Sequence, residues 1–295
     1  MHAAERPTGP PAGRYAILRG WRALAVEGPD ARDWLEGLLS VEVAGLGTGE
    51  ARRALLLTRT GRVRAEVAVA CRGPEAFLLL QHPAQPAFIG DLLAPYVLSS
   101  KVALADRSTE VAVVALPDAG AGSGPLDGAA PSPPSAPSCL GDGADLLVPA
   151  GRLGQTVAAL EAAGLRPASP ADLEGRRVLR GRAEMAGDAE ADDLPDECGL
   201  GEAASSTKGC YLGQEAVART RNLGHPRRLL LQLRAAGPAA RGEPILDPGG
   251  EPAGSVTSAA PDPNRPGDTA VLARIRWDAR DAALRTAAGV PLAPW

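Results

Sequence analysis

The sequence is poor in aromatic residues, which make up 3% of its 295 positions. A protein that binds single-stranded nucleic acid by stacking bases on aromatic rings is therefore not expected. No apolar run approaches the roughly 20 residues that a membrane-spanning helix needs, and residues 1–14 lack the apolar stretch of a secretory signal. These absences predict a cytoplasmic protein with no membrane partner.

Cysteine is scarce, and no two cysteines lie within a few positions of each other. The four cysteines are Cys71, Cys139, Cys198 and Cys210, and no CxxC motif occurs. A disulfide framework is not expected in a chain of this kind, so the thiols are predicted to be reduced. A self-contained zinc or iron–sulfur site needs about four clustered ligands, which this spacing does not supply.

The charge balance is slightly acidic, with a formal net charge of -4. A globally basic surface for nucleic acid is therefore excluded, although a local patch is not. Hydrophobic residues make up 45% and charged residues 22% of the chain, which is typical of a folded protein with a core.

Hydrophobic periodicity predicts an α+β fold rich in antiparallel strands. Strands are predicted at 53–58, 62–70, 76–81, 101–105, 110–116, 145–148, 228–234, 243–246, 252–258 and 268–277, after two short strands within 14–26. Helices are predicted after an N-cap at Asp30 and at 88–93, 153–163, 170–182 and 214–221.

Residues 117–143 interrupt this pattern. The segment is dense in Pro, Gly, Ser and Ala and has no apolar period, so it cannot bury enough surface to offset the entropy of ordering. We predict a flexible insertion, with Cys139 as an exposed thiol that has no role.

The residues with the most distinctive chemistry lie in the octapeptide KGCYLGQE, residues 208–215. Only two of the 31 basic residues are lysines, Lys101 and Lys208. Cys210 precedes a predicted helix and lies two residues from Lys208, and both features favour the thiolate. The pattern predicts a nucleophile, a redox sensor or a soft-metal ligand at Cys210, and the alternative is a buried cysteine in a tight turn.

Two other features allow weaker interpretations. His225 could act as a base for Cys210, although a loop residue is the simpler interpretation. A basic run lies around it and has two interpretations, a solvated face or a contact to an anion or RNA. The run consists of Arg219, Arg221, His225, Arg227 and Arg228.

The octapeptide resembles the signature of the YgfZ-type folate-binding proteins, whose mitochondrial counterparts act in iron–sulfur cluster assembly. The likeness extends over most of the chain outside the insertion. It includes the segments VEGPDARDWLEGLL, ALLLTRTGRV, YVLSSKV, LPDECGL, GHPRRLL and GSVTS.

The resemblance implies the fold of the glycine-cleavage T-protein, a three-domain arrangement around a central folate channel. It implies a discontinuous first α+β domain (1–50 and 170–222), a ferredoxin-like second domain (51–169) and a C-terminal antiparallel β-barrel (223–295). It implies that Cys210 and Lys208 are the reactive pair. The residues that would contact folate are then Gly209, Tyr211, Gln214, Glu215, Arg180 and Glu197.

The sequence departs from these families at two places. The T-protein enzymes carry two aspartates just after the hairpin, one of them catalytic, where this chain has Ala65 and Glu66. Folate-binding relatives carry an Arg-x-Glu-Ala pattern, where this chain has Arg182 in place of the glutamate. A cation there removes an acceptor for the pterin donors.

We therefore predict an accessory factor in assembly or repair of iron–sulfur (4Fe–4S) proteins that acts without being an enzyme itself. Its cofactors would be tetrahydrofolate or a related reduced folate and a transient cluster. Cys210 would be one ligand of that cluster, and an A-type iron–sulfur carrier or a client enzyme would supply the others. The alternatives are a folate-dependent aminomethyl transferase that uses Glu66 and a binding module related to tRNA modification that uses residues 219–228.

Overall fold

The computed structural model describes residues 13–118, 135–137, 143–185 and 187–295, with only the backbone at 135–137 and at residue 223. Most of the predicted insertion and Cys139 lie outside these residues. No helix in the described ranges is long and apolar enough to span a bilayer.

The described residues contain strands and helices close to the predicted positions. The strands are β1 (Arg14–Ile17), β2 (Arg22–Glu27), β3 (Ala51–Leu57), β4 (Val63–Gly73), β5 (Ala76–Gln81), β6 (Ala103–Asp106), β7 (Val111–Leu116), β8 (Ser135–Pro137), β9 (Ala144–Pro149), β10 (Arg166–Pro167), β11 (Arg228–Ala235), β12 (Pro244–Leu246), β13 (Pro252–Pro261), β14 (Thr269–Arg276), β15 (Arg285–Thr286) and β16 (Leu292–Pro294). The helices are α1 (Ala31–Leu38), α2 (Ile89–Leu93), α3 (Leu153–Ala162), α4 (Pro170–Leu179) and α5 (Gln214–Leu223).

The chain divides into two compact units. The smaller unit takes the described residues of 1–19 and 109–169, and the larger unit takes 20–108 and 170–295. The smaller unit has one sheet, in the order β10-β1-β7-β9-β8. Its core is apolar and joins this sheet to α3, with Tyr15, Val114, Leu116, Leu146, Val148 and Leu160 buried.

The first sheet of the larger unit is antiparallel, in the order β3-β4-β5-β2-β6. The alternation in β4 is confirmed, because Val63, Ala65, Val67 and Val69 are buried on one face. Strand β4 pairs with β3 across the turn at Gly61, as predicted. One face of this sheet packs on α1 and α2, which close its main apolar core.

The second sheet of the larger unit is C-terminal, in the order β15-β12-β13-β14-β11-β16. It is a curled antiparallel half-barrel, where a barrel was predicted. One face buries the apolar side chains of Leu233, Val256, Val271 and Ile275. The other face is covered at one end by α4, through contacts of Val178 with Ala260, Ala270 and Leu272.

Asp30 is the N-cap residue of α1, as predicted, but its side chain makes no capping hydrogen bond; its carboxylate accepts a hydrogen bond of 2.7 Å from the backbone N–H of Lys101. Two other local predictions were wrong. Helix α4 ends at Leu179 instead of about residue 182. Within the predicted insertion, residues 135–137 form β8, which pairs with β9.

The domain boundaries inferred from the resemblance stay a prediction. Strand β2 pairs with β5 and β6 in one sheet of the larger unit. The three-domain arrangement around a channel stays a prediction.

Candidate functional site

The octapeptide 208–215 forms a loop that leads into α5, and two glycines fit it against the β3–β4 hairpin. Gly213 has φ +86°, and a Cβ there would lie 2.4 Å from the carbonyl oxygen of Thr58. On the hairpin side, Gly61 has φ +74°, and its Cβ would lie 2.8 Å from Cβ of Ala216. Only glycine tolerates such a close approach in the left-handed region, so the two glycines set the position of the loop.

Lys208 fastens the same loop to the end of α1. Its ammonium donates to three backbone carbonyl oxygens, those of Glu36 (2.6 Å), Leu39 (2.9 Å) and Val41 (2.9 Å). It also pairs with the Glu36 carboxylate at 3.1 Å, and its side chain is only 2% exposed. Burial lowers the pKa of this ammonium, against the opposing effect of Glu36.

These contacts change the role expected for Lys208. An ammonium has three donors, and here three carbonyl oxygens accept from them. The cation also neutralises the negative end of α1. Lys208 therefore holds the loop in place, and its ammonium is directed at α1 and not kept free to activate a neighbouring thiol.

The side chains of Tyr211 and Gln214 also hold the loop. Tyr211 is buried, and its hydroxyl donates to the carbonyl oxygen of Ser205 at 3.0 Å. The side-chain amide of Gln214 donates to the carbonyl oxygen of Lys208 at 3.3 Å. Gly209 is exposed, and a Cβ there would meet no atom within 4 Å.

Cys210 lies exposed on this braced loop. The other two described cysteines, Cys71 and Cys198, are buried, and burial raises the pKa of the Cys198 thiol to about 12. The alternative of a buried Cys210 in a tight turn is therefore wrong. Among the described residues no group of three His, Cys, Asp or Glu side chains could hold a metal ion.

Of the remaining predicted folate contacts, Glu215 ends the octapeptide, and Glu197 and Arg180 lie on two other segments. Glu215 is exposed in the first turn of α5. Glu197 lies in a short 3₁₀ turn, and its Oε1 accepts from the backbone N–H of Arg227 at 3.0 Å. Arg180 directly follows α4 and is exposed.

Glu66 lies on β4 with both carboxylate oxygens engaged. Oε1 accepts from Nε of Arg53 at 2.6 Å, and Oε2 accepts from the backbone N–H of Met185 at 2.8 Å. Burial acts to raise the pKa of this carboxyl. The positive charge and hydrogen bond of Arg53, the Met185 N–H and the charge of Arg182 outweigh burial and lower it. The two hydrogen bonds therefore fix the position of the Glu66 carboxylate, and its lowered pKa makes it a weak base.

The basic run 219–228 is not one continuous patch. Arg221 makes an ion pair with Asp196 at 2.9 Å and donates to the carbonyl oxygens of Ala204 and Gly201. His225 stacks on Trp277 with ring centroids 4.6 Å apart. These two side chains hold loops together, so the interpretation as an RNA contact has little support.

A buried polar network surrounds Arg177 on α4, and the sequence did not predict it. This guanidinium bonds to the carboxylates of Glu174 (2.7 Å) and Asp188 and to the hydroxyl of Ser258 (2.6 Å). Asp188 in turn accepts from Thr257 and Ser258. An arginine inside an otherwise amphipathic helix carries no sequence signal that separates it from a surface residue.

Comparison with known proteins agrees with this architecture. The crystal structure of the glycine cleavage system aminomethyltransferase T from Bartonella henselae superimposes with a TM-score of 0.79 over 95% of this chain and 84% of that chain, at 20% identity. The chain has an aminomethyltransferase-like fold.

Sequence comparison also finds an aminomethyltransferase. An aminomethyltransferase from Herpetosiphon aurantiacus is 24% identical over 260 residues, which cover 81% of this chain and 72% of that protein. No protein-family model matches the chain. The T-protein-like fold inferred from the octapeptide is thus confirmed, while the likeness to the YgfZ-type proteins stays a prediction.

Proposed function

We propose that the protein is a folate-binding accessory factor in the assembly or repair of iron–sulfur proteins and that it acts through Cys210. The observation that carries this proposal is the display of one exposed thiol on a loop braced by Lys208 and Gly213. The other described thiols are buried. A loop that is held at both sides and displays one thiol that is accessible among the described residues suits transfer or shared ligation of a cluster better than storage of one.

The cluster is cargo in this proposal. A cluster needs several thiolates, and the described residues contain no group of three His, Cys, Asp or Glu side chains that could hold a metal. An A-type iron–sulfur carrier or a client iron–sulfur enzyme therefore supplies the others.

A reduced folate is the proposed small-molecule ligand, and the fold likeness supports it. Three of the predicted contacts retain acceptors for pterin N–H donors: the exposed carboxylate of Glu215, the second carboxylate oxygen of Glu197 and the exposed backbone of Gly209. The side-chain groups of Tyr211 and Gln214 are engaged within the loop, so their part is to hold it.

The test is an anaerobic mixture of the protein with a cluster-loaded A-type carrier, followed by size-exclusion chromatography and visible absorption. We expect the wild-type protein to co-elute with cluster absorption. Cys210→Ala should lose this absorption because it removes the accessible ligand.

Cys139→Ala is the matched control, since it also removes one thiol, and it should behave as the wild type. A Cys210→Ala protein that still co-elutes with the cluster contradicts the proposal.

The second candidate is a folate-dependent aminomethyl transferase, which both comparisons favour. It needs a carboxylate near the reacting centre, and Glu66 is the candidate. The low pKa and full engagement of Glu66 argue against it as a proton acceptor.

Turnover decides between these candidates. An assay with tetrahydrofolate and a protein-bound aminomethyl donor should show no activity if the first proposal holds. Activity in the wild type that Glu66→Gln abolishes, while folate binding measured by tryptophan fluorescence is kept, establishes the transferase instead.

A further inference from the structure

A cleft of about 570 Å³ opens beside the C-terminal sheet, within the larger unit. It lies between the loop 187–193 and the ends of β11, β13 and β14. Its volume lies in the range of small-molecule sites. None of the residues predicted to contact folate or a cluster lines it.

Three arginines reach this cleft from one face of the sheet. Arg228 on β11 pairs directly across from Arg276 on β14, and Arg274 precedes Arg276 by two residues, which places it on the same face. All three line the cleft, and Arg241 joins them from the loop before β12. The same sheet face is apolar at its other end, where α4 covers it.

Cross-strand neighbours of like charge are destabilising. Asp247 and Asp278 pair with Arg276, so the charge left uncompensated in this cross-strand pair is that of Arg228. The guanidinium of Arg228 has no hydrogen-bond or ion-pair partner among the described residues. Nε of Arg274 is buried and also lacks a hydrogen-bond partner there. Both groups retain unused donors beside the cleft.

Acidic residues in the cleft offset this charge only in part. Asp193 pairs with Arg274 at 2.7 Å, and Asp188 is bonded to Arg177, Thr257 and Ser258. Glu190 is exposed, and it is the one lining carboxylate that no described side chain neutralises. Arg276 pairs with Asp247 and Asp278, and Arg241 donates to the carbonyl oxygen of Gly187 at 3.0 Å. Arg228 and Arg241 are therefore the two lining cations that no described carboxylate neutralises, against the single carboxylate of Glu190.

We infer that this cleft binds a small, multiply charged oxyanion, either a phosphate group or a pair of carboxylates. Guanidinium forks match both of these groups in bidentate geometry. Ser255 adds a hydroxyl to the lining of the cleft. This site is independent of the function proposed above, and its failure would leave that proposal intact.

The experiment is calorimetric titration of the full chain with inorganic phosphate and, separately, with glutarate, in a zwitterionic buffer at low salt. At least one ligand should bind, and the ligand that binds more tightly identifies the source of the oxyanion. Arg228→Gln should weaken that binding by at least about tenfold, because it removes a charged donor.

Thermal unfolding separates this role from a structural one. Without ligand, Arg228→Gln should melt at or above the wild-type temperature, since it relieves repulsion with Arg276. Arg234→Gln is the control, on the same strand but paired with Asp268, and should bind as the wild type. Absence of binding by both ligands, or wild-type affinity in Arg228→Gln, overturns the inference.

Discussion

At the scale of single residues, Lys208 shows what rarity in a sequence can and cannot indicate. The scarcity of lysine singled out this residue correctly as one with a specific role. The partner was not predictable, because its ammonium binds carbonyl oxygens about 170 residues earlier in the chain, the contact to Glu36 spanning 172 positions. Proximity in sequence to Cys210 suggested a different role.

The lowered pKa of Glu66 predicts how the stability of the fold depends on pH. Its folded-state pKa is lowered from 4.5, so the unfolded chain binds a proton more readily than the folded one. The resulting stabilisation is present above the unfolded pKa and is lost as pH falls through the folded pKa. The stability difference between wild type and Glu66→Gln should therefore shrink as the pH falls from above 4.5 to below it.

Urea unfolding at a series of pH values measures this difference. Glu215→Gln, which removes an exposed carboxylate on α5, is the control. A constant difference between wild type and Glu66→Gln over this range would mean that the Arg53 pair does not act on the carboxyl as described.

At the scale of elements, the β3–β4 hairpin and the octapeptide loop were largely predictable. The alternation in β4 and the turn at Thr60-Gly61 are local signals, and the structure confirms both. The contact between Gly61 and Gly213 was not predictable, because it joins segments that lie far apart in sequence. Asp30 is a similar case, since the N–H of Lys101 competes for its carboxylate.

The two glycines of the octapeptide provide a matched pair of variants. Gly213→Ala places a Cβ 2.4 Å from the oxygen of Thr58 at φ +86°, and it should lower the free energy of unfolding by at least about 2 kcal/mol. Gly209→Ala meets open space and should change it by less than about 0.5 kcal/mol.

Chemical denaturation of both variants measures the two values. Equal effects of the two substitutions would show that the hairpin does not fix the position of the loop.

At the scale of the whole molecule, the fold class followed from the octapeptide and the strand pattern, and structural comparison confirms it. The division of the chain into two units could not be inferred from the sequence. Pairing of β2 with β5 and β6 depends on which strands meet across the sheet, and hydrophobic periodicity contains no information on that choice.

The Arg177 network links three segments of the chain, namely α4, the loop at Asp188 and β13. Arg177 is 6% exposed and Asp188 is fully buried. Arg177→Met leaves the Asp188 charge unpaired and should lower the free energy of unfolding by about 3–5 kcal/mol. Arg219→Met, an exposed position on α5, should change it by less than about 0.5 kcal/mol.

A double variant tests whether the decrease in the free energy of unfolding comes from the unpaired carboxylate of Asp188. The double variant Arg177→Met with Asp188→Asn should lower the free energy of unfolding by less than the sum of the decreases in the two single variants. Strict additivity in urea unfolding would show that the two side chains do not interact.

The pocket around the Lys208 ammonium has a consequence for how this gene can change. A one-base change converts a lysine codon to an arginine codon, and only two of the 31 basic residues in this chain are lysines. A guanidinium presents its donors in a fixed planar fork, whereas the three carbonyl oxygens around Lys208 converge on one compact ammonium. Lys208→Arg is therefore a change that a single base can produce and that this pocket does not fit, although the charge is kept.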